Sequence, residues 1–170
     1  ISLDKLIAKF SAAGNTEEAA KRFLYLHKNM FPGVWQYMED QEQLIRVQRF
    51  QETPFGRRRR YQDITSAEIR QALNFPIQST ASDFTLLSIS RCPQVLKELQ
   101  LDARLVLTVH DSLIFEVRLD QFWQVAQAVK SVMEGWRFDW LTVPIVADME
   151  AGKNWGKLKK VKFSDFSFST

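Results

Sequence analysis

Arg104-Leu-Val-Leu-Thr-Val-His-Asp-Ser-Leu-Ile-Phe-Glu-Val117 carries two short apolar runs, Leu105 to Val109 and Leu113 to Val117, around His110-Asp111-Ser112. Runs this short, rich in β-branched and aromatic residues, predict two buried strands joined by a tight turn. The turn is unusual. Two-residue hairpin turns favour Asn-Gly, Asp-Gly or another glycine pair because the backbone needs positive φ, and this one has no glycine. A carboxylate beside buried strands must be solvated, hydrogen-bonded or placed on a metal, since a bare buried charge is too costly. Two readings of Asp111 follow: a polar turn that happens to hold an acid, or a site.

Downstream, Asp120 to about Trp136 reads as a helix with Phe122, Val125, Val129 and Val132 or Met133 as its buried stripe. Val143-Pro-Ile-Val-Ala147 reads as a strand that Pro144 confines to an edge or a strand start. Gly152-Lys-Asn-Trp155 reads as a turn with an aromatic anchor, and the residues from Leu158 on are basic, then rich in Ser and Phe. Upstream of the hairpin, Val95 to Leu101 is a short helical turn, separated by Pro93 from a helix over Ile77 to Arg91 with Ile77, Ala81, Phe84 and Ser88 on one face. Pro76 is expected to kink or restart the helix that Thr65 or Ser66 caps, because it has no N–H to give residue 72. Phe50-Gln-Glu-Thr-Pro-Phe-Gly56 and the arginines after it predict a turn or short hairpin with Gly56 at positive φ. Three amphipathic helices come first. One covers residues 3 to 12 with Leu3, Leu6, Ile7 and Phe10; one runs from a Thr16 cap to Met30 with Ala19, Phe23 and Leu26; one runs from Pro32 to Val47 through Trp35, Met38 and Ile45. Core packing accounts for these stripes.

At 170 residues, 45% hydrophobic and 25% charged, the chain has the composition of one soluble globular domain with a real core. The formal net charge of +3 says little, but the placement of charge says more. Arg57-Arg58-Arg59-Arg60 form one cluster, and Lys153, Lys157, Lys159, Lys160 and Lys162 another. Such clusters suit phosphate contacts; the plainer reading is a solvated surface. The single cysteine, Cys92, excludes an internal disulfide and a cysteine-based metal site. No apolar run is long enough for a membrane span, and no signal-peptide pattern opens the chain, which points to an intracellular setting. The chain begins with Ile1 and enters amphipathic helix at once, as the C-terminal part of something longer would.

Arg70, Asn74 and Gln78 are spaced four residues apart. On one continuous helix they would share a face. Arg, Asn and Gln donate to purine N3 and pyrimidine O2, the minor-groove acceptors present at every base pair, so such a row would hold any duplex almost regardless of sequence. The competing reading is a solvated helix face.

The residues around that row go beyond spacing. Arg70-Gln-Ala-Leu-Asn-Phe-Pro-Ile-Gln-Ser-Thr-Ala-Ser-Asp83 resembles the R-x-x-x-N-x-P-x-Q-(G/S)-T-A-(A/S)-D segment of family A (Pol I-like) DNA polymerases. The hairpin resembles that family's motif C, the V-H-D-E turn of the palm. Phe31-Pro-Gly-Val34 with Tyr37 is similar to its Y-P-G-V-x-x-Y segment, Glu52-Thr-Pro-Phe-Gly-Arg-Arg58 to its E-T-x-F-G-R-R segment, and Gly152-Lys-Asn-Trp155 to its near-terminal G-x-N-W. Order and intervals agree, so the resemblance covers nearly the whole chain.

The resemblance implies roles residue by residue. Asp111 matches one of two carboxylates that hold a catalytic Mg²⁺ pair, and His110 the histidine beside it near the primer end. Arg70, Asn74 and Gln78 match contacts to the primer–template minor groove and the nascent pair; Arg57 and Arg58 match basic residues near the template strand. It also implies an α+β fold. Residues 1–100 would be a mostly helical segment from the end of the fingers. Residues 101–156 would be a palm β-hairpin with its covering helix and a C-terminal edge strand, and 157–170 a basic tail. Together they would make an incomplete right-hand polymerase fold.

Two departures qualify this. The motif C glutamate is Ser112 here; His-Asp-Ser also occurs in single-subunit phage RNA polymerases, which share the palm. The family's motif A, D-Y-S-x-I-E-L-R, and its O-helix, R-x-x-x-K-x-x-x-(F/Y)-G, are absent from these residues. Two-metal catalysis needs carboxylates clamping ions about 3.5–4 Å apart, so Asp111 alone cannot supply it. The expectation is DNA-directed DNA synthesis, from dNTP on primer–template DNA, only together with an N-terminal polymerase portion in the same or a separate chain. The setting would be the cytoplasm of a bacterial or phage-infected cell. The alternatives are a palm fragment of a phage-type RNA polymerase and a non-catalytic duplex-binding module.

Overall fold

The computed structural model describes residues 3–163, with side chains from Lys5 onward. The Leu3 side chain and the Ser/Phe-rich end from residue 164 lie outside the described residues. Helix α1 spans Leu3–Ala12 and buries Leu6. Helix α2, Glu17–Met30, starts where the sequence predicts: Thr16 Oγ1 accepts the Ala19 N–H at 3.2 Å, and Glu17 and Glu18 sit where the helix dipole favours acids. Helix α3, Pro32–Gln48, opens on a proline whose missing N–H costs nothing in a first turn. The stripe predicted for α2 is only partly correct. Ala20 is the buried residue, while Phe23 and Leu26 remain about half exposed.

The chain divides into two compact units. The first comprises the residues up to Glu52 together with Arg58–Pro76. Its core is Ile45, Tyr61 and Ala72, with Ile64 and Ile69 packed against them. Strands β1, Phe50–Glu52, and β2, Arg58–Arg60, pair antiparallel with Gln51 opposite Arg59. Helix α4, Ser66–Glu98, begins in a reciprocal cap. Thr65 Oγ1 accepts the Glu68 N–H at 3.2 Å, and the Glu68 carboxylate accepts the Thr65 N–H at 3.4 Å.

Helix α4 corrects the expected break at Pro76 and the expected end at Pro93: it runs through both for 33 residues. A proline inside a helix leaves the carbonyl four residues back without its partner. Here that carbonyl, of Ala72, accepts the Gln51 side-chain amide at 3.0 Å, and the next one, of Leu73, accepts the Tyr37 hydroxyl at 2.9 Å. The helix instead closes at Gln100, in the left-handed region with φ 55°, where the Leu101 N–H reaches back to the Leu96 carbonyl at 2.9 Å. The predicted helical turn at Val95 to Leu101 is the end of this helix.

The second unit comprises Thr53–Arg57 and the residues from Ile77 on. Strands β3, Ala103–Val109, and β4, Ser112–Val117, form the predicted hairpin, covered by helix α5, Phe122–Glu134. Leu96, Val125 and Ala128 make its core, with Ala103, Phe115 and Val117 packed against them. The strands are not buried on both faces as expected. Val106 is 45% and Leu107 42% exposed, because α5 covers one face only. The predicted strand at Val143 to Ala147 does not form a ladder. Pro144 lacks a donor, and the Ala147 N–H and carbonyl are taken by the Glu134 carboxylate, at 2.8 Å, and the Lys130 ammonium. The terminal ladder is β5, Glu150–Ala151, with β6, Lys159–Lys160. Trp155, read as an anchor, is 59% exposed. On α4, Ile77 and Ala81 face outward, and the buried row is polar: Asp83, Thr85 and Ser88. Ser88 Oγ donates to the Phe84 carbonyl and accepts the Trp136 indole N–H at 3.1 Å.

Candidate functional site

The register of the hairpin places the acid. Val109 pairs with Ser112, so the loop is His110-Asp111 alone. His110 supplies the positive φ that glycine would normally provide, at 54°. One further irregularity shapes the turn. Leu105 pairs with Phe115 but Leu107 with Ile114, so Val106 is an extra residue in β3. That bulge reverses the alternation beyond it: Ala103 and Leu105 share the covered face with Thr108, not Leu107. Val109 and Ser112, which flank the turn, therefore lie on the uncovered face together with Leu107, Ile114, Arg104 and Glu116.

At the tip, His110, Asp111 and Ser112 are all exposed. Among the described residues the Asp111 carboxylate has one hydrogen-bonding neighbour, the Ser112 hydroxyl at 3.5 Å, and no cationic partner. No group of three or more His, Cys, Asp or Glu among them is arranged around a metal. An exposed carboxylate of this kind could serve a metal only as one ligand within a larger set, and the described residues do not make such a set by themselves.

The predicted basic residues are differently employed. The Arg57 guanidinium grips the Asp83 carboxylate, whose side chain is 11% exposed against 45% for Arg57. That partner raises the Arg57 pKa above its ordinary value. Arg57 closes the β1–β2 turn as well: its N–H meets Thr53 Oγ1 at 3.2 Å, and Gly56 sits at φ 82°. Phe55, from the same turn, packs edge-on against Phe84, Phe138 and Trp140. Arg58 pairs with Glu52 across the two strands and lies over the Phe50 ring. Arg59, outside the predicted set, reaches Gln71 on α4 at 2.5 Å. Arg57 and Arg58 are exposed but engaged by these carboxylates.

Arg70, Asn74 and Gln78 are all exposed, at successive four-residue steps of the unbroken α4. Arg70 and Asn74 belong to the first unit and Gln78 to the second. Sequence reasoning missed Gln51 and Tyr37, which serve the Ala72 and Leu73 carbonyls, and Asp83, which holds Arg57. The signal for Gln51 lay in Pro76, since a proline within a helix requires an outside donor for the carbonyl of residue 72.

Comparison with known proteins bears on the family. The DNA polymerase family A model matches residues 6–157. A DNA polymerase I of Pseudomonas aeruginosa is 36% identical over 149 residues, covering 84% of this chain and 16% of the relative. A DNA polymerase of Bacillus phage SP01 is 32% identical over 163 residues, covering 88% and 18%. The solved POL domain of Pol1 from M. smegmatis, in complex with DNA primer-template and dNTP, superposes with a TM-score of 0.69 at 29% identity, covering 80% of this chain and 25% of that one. The chain spans less than a fifth of the length of these curated relatives. A match along 6–157 and the same motifs in the same order leave one conclusion: this chain belongs to family A of the DNA polymerases.

Proposed function

We propose that this chain acts in template-directed DNA synthesis, as the C-terminal portion of a larger or split polymerase. The observation that carries the reading is the exposed Asp111 at the tip of a two-residue hairpin turn, in a chain of this family. Asp111 offers one carboxylate toward Mg²⁺. A bound magnesium pair supplies activation of the primer 3′-OH and neutralisation of charge on the transferring phosphate. His110, beside it, lies where the primer end would approach. Arg70, Asn74 and Gln78 donate to minor-groove acceptors and hold the duplex without reading its sequence. Arg57 and Arg58 approach the template backbone from within their ion pairs. The M. smegmatis structure, a complex with primer-template and dNTP, supports DNA and dNTP as partners. Motif A and the O-helix come from the N-terminal polymerase portion. With bacterial and phage relatives, the working place is the cytoplasm.

The test is primer extension by the full-length protein that carries this chain. It should extend a primer with dNTP and Mg²⁺, and stop when the metal is chelated. Extension with ribonucleotides in preference would move the chain to the RNA polymerases. Duplex binding with no extension under any metal would leave only a binding module.

A further inference from the structure

Gln51 is a buried polar residue on a strand where an apolar side chain would cost less to bury. Each of its polar atoms is used. The amide nitrogen donates to Gln41 Oε1 at 2.6 Å and to the Ala72 carbonyl at 3.0 Å, and the amide oxygen accepts the Tyr61 hydroxyl at 2.6 Å. Ala72 is itself fully buried, so no water replaces the N–H that Pro76 cannot provide. The Tyr37 hydroxyl adds a donor at the Leu73 carbonyl, one residue on, beside the Ile77 N–H that an α-helix aims there. These two carbonyls lie in the single helical turn between Arg70 and Asn74.

We propose that Gln51 and Tyr37 are positioning residues for primer–template binding: by satisfying the Ala72 and Leu73 carbonyls they hold the proline-bearing turn of α4 closed and so fix where Arg70 and Asn74 point. The inference rests on the reading that Arg70 and Asn74 touch the minor groove. A burial role alone would make Gln51 a matter of stability. A positioning role makes it a matter of DNA affinity, and makes its importance depend on Pro76.

A double-mutant cycle in the full-length protein separates the two, read as primer–template Kd and as turnover at saturating DNA. Gln51→Met should weaken binding about tenfold, as expected for a buried carbonyl left without its partner, with turnover at saturating DNA little changed. Pro76→Ala gives the Ala72 carbonyl an N–H again, so the double variant Gln51→Met/Pro76→Ala should recover most of the lost affinity. An unchanged Kd for Gln51→Met, or the same loss in both backgrounds, overturns the proposal. Should Gln51→Met fail to fold, Tyr37→Phe removes only a hydroxyl and should still weaken binding; wild-type affinity there overturns it. Arg70→Ala and Asn74→Ala serve as references. If neither alters Kd, the minor-groove reading itself fails, whatever Gln51 does.

Discussion

Cys92 lies fully buried on α4, and burial pushes its thiol up to about 11. Thiolate is the reactive form, so native protein should resist an aromatic disulfide reagent at neutral pH and react fully once unfolded. Fast labelling of the native state would contradict the packing. Single residues were legible to different degrees. Asp111 stood out because an acid in a glycine-free hairpin turn is physically odd, and the turn indeed uses His110 at positive φ. The arginine run was legible as charge but not as contact. Composition cannot show that Arg57 is held by Asp83, 26 residues away, or Arg58 by Glu52. Gln51 was invisible because its role is set by a proline in another element.

At the level of elements, local signals located most boundaries. Thr16 and Thr65 cap as their sequences suggest, and Gly56 takes the predicted positive φ. Two of the failures share one cause: tertiary hydrogen-bond partners replaced local ones. Helix α4 passes Pro76 because Gln51 and Tyr37 serve its carbonyls, and residues 143–147 form no ladder because α5 side chains take the Ala147 backbone groups. The latter contact has a pH signature. The Lys130 ammonium at 2.5 Å, then the Ala147 N–H, hold the Glu134 carboxyl below its ordinary 4.5. A depressed folded pKa contributes stability that is present above the unfolded value and lost as pH falls through the folded one. The pair is about one-third exposed, so the contribution is about 0.5–1 kcal/mol. Glu134→Gln should therefore lower Tm at neutral pH and flatten the fall in Tm below about pH 4.5. Parallel Tm–pH curves for the two proteins would refute the contact.

At the scale of the molecule, the α+β class and family membership were both readable from ordered motifs, and the family match bears out the membership. The open face of the hairpin was not readable. A run of β-branched residues looks alike whether one face or two are covered, and here α5 covers one. The proposed reading makes Asp111, at the edge of that open face, one ligand of a metal site that the described residues do not complete. The most direct measurement is primer extension by the full-length protein carrying Asp111→Ala, with primer–template Kd measured alongside. Synthesis should be abolished while DNA binding stays close to wild type; near-normal extension by that variant would contradict the role given to Asp111.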